Sequence, residues 1–145
     1  MTDQITFIIK YLVDHNHKYQ NDLDNKSIEI IYDLYQNNNW DPDKYYSCEV
    51  SRYMGRYFQI KKDHENMLKY YQMAINQGDT VAMQCLGLYY KKQKDHENML
   101  KYYLMAIEKG NSDAMYNLGL YYDKKGDDEN MLKYYLMAME KGDSN

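Results

Sequence analysis

The feature that most limits what this chain can fold into is a period. "ENMLKYYQMAINQG" at 65–78 returns as "ENMLKYYLMAIEKG" at 97–110 and "ENMLKYYLMAMEKG" at 129–142. A second set of phrases, "YMGRYF", "CLGLYY" and "NLGLYY", puts Gly55, Gly87 and Gly119 at the same interval of 32 residues. Repeats of this length mark stacked supersecondary units, none of which buries its apolar face alone. Within a unit the spacing is helical. Met115, Leu118, Gly119 and Tyr122 fall at i, i+3, i+4 and i+7, as do Met99, Tyr102, Tyr103 and Ala106. Asp63, Asp95 and Asp127 stand as N-caps with Glu65, Glu97 and Glu129 in the first turn, and Gly78, Gly110 and Gly142 suit left-handed helix ends. Each unit is therefore a pair of helices.

Gly55, Gly87 and Gly119 sit mid-helix, where glycine costs about 1 kcal/mol against alanine. Two explanations offset that cost: a neighbouring helix crossing where a Cβ would obstruct it, or a ligand touching the backbone. Recurrence in every unit favours packing, and a bulky replacement should then cost about 1–3 kcal/mol. The expectation is that successive hairpins lean on one another through this glycine-centred seam.

The pattern A-x-x-x-L-G-x-x-Y at Ala114, Leu118, Gly119 and Tyr122 and at Ala82, Leu86, Gly87 and Tyr90 is followed by an aromatic pair and x-x-A-x-x-x-G at Tyr102, Tyr103, Ala106 and Gly110. It resembles the Sel-1-like repeat, a branch of the tetratricopeptide superfamily, over residues 47–142. In the first unit Met54 replaces the leucine and Phe58 the tyrosine; the inter-helix loops are shorter than in that family, and Met67, Met99 and Met131 stand where it usually has alanine. The short-loop style is similar to repeats carried by large DNA viruses of amoebae. The resemblance implies an all-α, right-handed α-solenoid of stacked antiparallel hairpins, about eight helices in all. Three repeats, at about 47–78, 79–110 and 111–142, would fill residues 41–145. Residues 1–40 read as a divergent helical pair capping the stack, with Ile5, Ile8, Ile9, Leu12 and Val13 in one helix and Ile28, Ile31, Leu34 and Tyr35 in the other; Asp41 and Pro42 open the next helix.

Composition narrows the function. The chain has 145 residues and a formal charge of −4, and "ITFIIKYLV" is interrupted by Lys10 well short of a membrane span. The expected setting is intracellular, cytoplasmic, and the host cytoplasm if the carrier is a virus. Cys48 and Cys85 read as reduced thiols. His64 and His96, one repeat apart, are separated by about 10 Å per helix layer, too far to share a zinc ion. His15 and His17 do not share a helical face. No phosphate loop, nucleophile elbow or H-E-x-x-H pattern occurs, so the expectation is a protein with no catalytic residues, no metal site and no cofactor. Tyrosine is abundant, 19 against two phenylalanines, but most tyrosines fall in the packing stripes and the net charge opposes a phosphate backbone, which argues against RNA.

What remains is a surface for partners. The resemblance implies a concave groove lined by first-helix positions offset from the glycine stripe: Arg52 and Arg56; Gln84, Leu88, Lys91 and Lys92; Tyr116, Leu120 and Lys124. These combine cations with apolar groups, which suits an acidic or amphipathic protein segment. Leu88 and Leu120 could instead be covered by the neighbouring unit. The last unit offers a second surface, because Met131, Tyr134 and Tyr135 keep the stripe that earlier units bury; it suits self-association or another protein. An adaptor or scaffold is the first reading, with a self-assembling structural subunit and an RNA-binding repeat as alternatives.

Overall fold

A computed structural model describes residues 48–143, together with Asp33 and Asn37. The proposed N-terminal pair and the Asp41–Pro42 helix start lie outside the described residues. The chain divides into two compact units, Met1–Gln77 and Gly78–Asn145. The first holds α1 (Cys48–Ile60) and α2 (His64–Asn76); the second holds α3 (Thr80–Lys92), α4 (His96–Glu108), α5 (Ser112–Lys125) and α6 (Asp128–Asp143). The described residues are all-helical, built as α-solenoid hairpins: α1 packs on α2, α3 on α4 and α5 on α6, and in the second unit α4 also packs on α5.

The caps are built identically. Asp63 Oδ1 accepts the Asn66 backbone N–H at 3.2 Å while its other oxygen accepts the Asn66 side-chain amide at 2.7 Å. Asp95 with Asn98 and Asp127 with Asn130 repeat both bonds. The side-chain amide, and after it the backbone N–H, holds all three carboxyls below their ordinary 3.8. Their contribution is thus present above that pH and lost as pH falls through the depressed values. Two caps the repeat pattern did not flag start α3 and α5: Asp79 accepts from Val81 and Ala82 at 2.9 and 3.1 Å, and Asn111 from Ala114 at 2.8 Å.

Helix ends show one difference from expectation. Gly78 and Gly110 are left-handed, at φ 86° and 85°. Gly142 is not: it lies inside α6, which runs on to Asp143, and no chain reversal follows it within the described residues. The other left-handed glycine is Gly126, at φ 74°, and its equivalents in the earlier units are Lys62 and Lys94, at φ 60° and 58°. The tight turn demands this conformation. Asp95 N–H reaches back to the Tyr90 carbonyl at 3.0 Å and Lys94 N–H to Lys91 at 3.1 Å, a Schellman closure in which the next helix's cap residue makes the longer bond. An L-residue in the left-handed region costs about 1–2 kcal/mol. Lys94→Gly is therefore expected to stabilise the protein by up to about 1 kcal/mol in urea unfolding, and Gly126→Lys to destabilise it by a similar amount.

The glycine seam lies within each hairpin, not between successive hairpins. A Cβ on Gly55 would sit 2.6 Å from Tyr71 Cδ1, one on Gly87 2.5 Å from Tyr103 Cδ1, and one on Gly119 2.5 Å from Tyr135 Cδ1. The glycine admits the flat face of a tyrosine from the second helix of its own pair. Beside each lock a second aromatic pair stacks: Phe58 on Tyr70, Tyr90 on Tyr102 and Tyr122 on Tyr134, at 5.4, 5.7 and 5.7 Å between centroids. Lys69, Lys101 and Lys133 lie over the second-helix rings of these pairs, Tyr70, Tyr102 and Tyr134. Tyrosine abundance is thus largely structural.

Candidate functional site

In the second unit the expected groove residues sit on α3 and α5. Gln84, Leu88 and Lys91 are half-buried and Lys92 is exposed; Leu120 is half-buried, Lys124 is exposed and Tyr116 is 53% exposed. The leucines are thus neither fully wet nor sealed. Burial, and then the charge of Lys124, hold the Lys91 ammonium below the usual lysine range. The α5 lysine therefore lies near enough to repel the α3 lysine. No carboxylate among the described residues forms an ion pair with either one. Tyr116 leans on Tyr135 at 5.7 Å with a 37° tilt. In the first unit Arg52 and Arg56 are half-buried, and the Arg52 guanidinium lies 5.3 Å over the Tyr53 ring. Both arginines are engaged with neighbouring groups, so they differ from the unpaired lysines.

The lock tyrosines end differently in each unit. Tyr71 donates its hydroxyl to Gln59 Oε1 at 2.7 Å. The residue one repeat after Gln59 is Lys91, which carries no acceptor, and the buried Tyr103 hydroxyl has no hydrogen-bond partner among the described residues. Burial, with a smaller contribution from the Cys85 thiol, pushes Tyr103 up to about 12. In the third unit Asp123 takes that position, and burial followed by the Asp123 charge raises Tyr135. Tyr103→Phe is accordingly expected to be neutral or stabilising by about 1 kcal/mol at pH 7, and Tyr71→Phe, which loses a made bond, to cost about 1 kcal/mol. Because the folded value of Tyr103 is raised, its proton supports stability below pH 10.0 and that support fades as pH rises toward 12; Tyr103→Phe should flatten this alkaline loss in pH-dependent unfolding.

The second expected surface is only partly where the sequence put it. Met131 and Tyr135 are half-buried, but Tyr134 is only 8% exposed, because it stacks on Tyr122 inside the hairpin. The exposed apolar residues of α6 are Leu132, Leu136 and Met139, at 55%, 53% and 63%. Their side of the helix lies off the stripe that Met131, Tyr134 and Tyr135 mark in the sequence. His64 and His96 are exposed, Cys48 and Cys85 are half-buried and not joined in a disulfide, and no group of three or more potential ligands is placed to hold a metal among the described residues. No helix among them is long and apolar enough to cross a membrane.

Solved structures share this arrangement of helical hairpins. The crystal structure of MamA superposes with a TM-score of 0.61 at 21% identity, covering 97% of this chain and 87% of that one. The likeness shows the fold, an α-solenoid of helical hairpins. A second MamA crystal structure gives a TM-score of 0.58 at 19% identity, over 99% of this chain and 94% of that one. At such identity the likeness concerns the backbone alone and carries no binding residue across. No family model matches the sequence, and no curated protein matches it significantly.

Proposed function

We propose that this chain is a non-catalytic protein-interaction module of the Sel-1-like kind, an adaptor that docks an acidic, partly apolar segment on the first helices of its repeats. The observation that carries the reading is the surface shared by α3 and α5, where half-buried Lys91 and exposed Lys92 and Lys124 accompany half-buried Leu88 and Leu120 and exposed Tyr116. The Lys124 charge acts on Lys91, and an incoming carboxylate would relieve that repulsion while the leucines and Tyr116 offer apolar contact beside it. Gln84 and Lys92 extend the surface along α3, and Arg52 and Arg56 hold the same register in the first unit. The likeness of the short loops to repeats of large DNA viruses of amoebae extends the reading to an intracellular setting, the host cytoplasm for a viral carrier.

The test is fluorescence anisotropy with a labelled peptide of alternating Glu and Leu blocks. Saturable binding is expected, weakened at least about tenfold by Lys91→Glu with Lys124→Glu and weakened again by added salt. Affinity indifferent to both would remove this surface from the reading. Tighter binding of a homopolymeric RNA than of the peptide would move the protein to the nucleic-acid class.

A further inference from the structure

Position 91 interrupts a pattern that the other two units keep. In every hairpin a second-helix tyrosine lies against the mid-helix glycine with the same edge of its ring: Tyr71 on Gly55, Tyr103 on Gly87 and Tyr135 on Gly119. Each hydroxyl therefore arrives at the same place in its repeat, beside the residue one turn after the glycine. In the first unit that residue is an acceptor, and Tyr71 donates to Gln59 Oε1 at 2.7 Å. In the third it is a carboxylate, Asp123, whose charge comes next after burial among the causes that raise Tyr135. In the middle unit it is Lys91, which has donors only. The Tyr103 hydroxyl is buried with no hydrogen-bond partner among the described residues, an unfavourable arrangement that a glutamine at position 91 would relieve.

We propose that the bound partner supplies the acceptor: a Glu or Asp carboxylate of the docked segment takes one hydrogen bond from the Tyr103 hydroxyl and a second, charge-assisted one from the Lys91 ammonium. This rests on the reading of the α3 and α5 surface as the docking face and names its anchoring contact. The neighbouring repeats show that such a group fits beside the ring, since an amide oxygen and a carboxylate stand there as Gln59 and Asp123. Lys91 is half-buried on a long flexible side chain, so it can swing outward as the carboxylate enters and then pair with it. Burial pushes the Tyr103 hydroxyl up to about 12, so at neutral pH it keeps its proton and donates. Half-buried Leu88, one turn before Lys91, limits water at the contact and so strengthens both bonds.

Two measurements on the intact chain test this. In thermal unfolding without ligand, Lys91→Gln copies the first unit and should raise the melting temperature by about 3 °C. Tyr103→Phe, which removes the donor, should remove most of that rise. Additive shifts would show that the hydroxyl does not face position 91 and would overturn the inference before any peptide is added. With the labelled Glu–Leu peptide, Tyr103→Phe should weaken binding about tenfold without loss of stability, and only about threefold when Gln replaces Glu in the peptide. Binding that Lys91→Glu with Lys124→Glu abolishes but Tyr103→Phe leaves in place would remove this contact and keep the docking face. Binding indifferent to the lysine reversals, or no binding by the unaltered chain, would remove both.

Discussion

Gly87→Val is expected to destabilise the second unit by about 3 kcal/mol or more. The built Cβ lies 2.5 and 2.6 Å from Tyr103 Cδ1 and Cε1, and Tyr103 is fully buried, so its ring has nowhere to swing. Gly87→Ala meets the same ring but gains about 1 kcal/mol of helix propensity, so its net loss is smaller. The diagnostic is the double-mutant cycle. Tyr103→Ala alone should cost about 3–5 kcal/mol by leaving a cavity. In that background Gly87→Ala should turn neutral or stabilising, a coupling of about 2 kcal/mol in denaturant unfolding. Additive losses would show that the glycine answers to something other than the tyrosine. Gly119→Ala should be milder, because Tyr135 is only half-buried and can yield.

Met99→Ala should cost about 2–5 kcal/mol, and Met131→Ala less than about 1 kcal/mol. The two methionines occupy the same place in nearly the same sequence, so propensity and denatured-state effects cancel in the comparison. Only cover differs: Met99 is 0% exposed beneath α5, and Met131 is half-buried. Urea unfolding of both variants measures this directly. Equal costs would mean that α5 does not seal α4.

The helical hairpins, their Asp caps and the mid-helix glycines were legible from the period, because each depends on residue type and spacing within one repeat. The partner of each glycine was not. Two adjacent tyrosines in each second helix were equally available, and only the crossing of the helices chooses Tyr103 for the seam and leaves Tyr102 to stack on Tyr90. That same split explains why Tyr134 was misplaced at the open end. The left-handed Lys62 and Lys94 were invisible because lysine gives no signal for that conformation, although Gly126 in the third unit was the clue. On the candidate groove, residue identities were readable, but the partial burial of Leu88, Lys91 and Leu120 follows from how the helices pack, which residue spacing does not encode.

The most direct test of the docking surface is an amide and methyl NMR titration of the intact chain with the Glu–Leu peptide. The expected result is a cluster of saturating shifts at Leu88, Lys91, Tyr116, Leu120 and Lys124, absent in the Lys91→Glu, Lys124→Glu variant. Saturable binding that leaves those five signals in place, or that survives the double reversal undiminished, would contradict it.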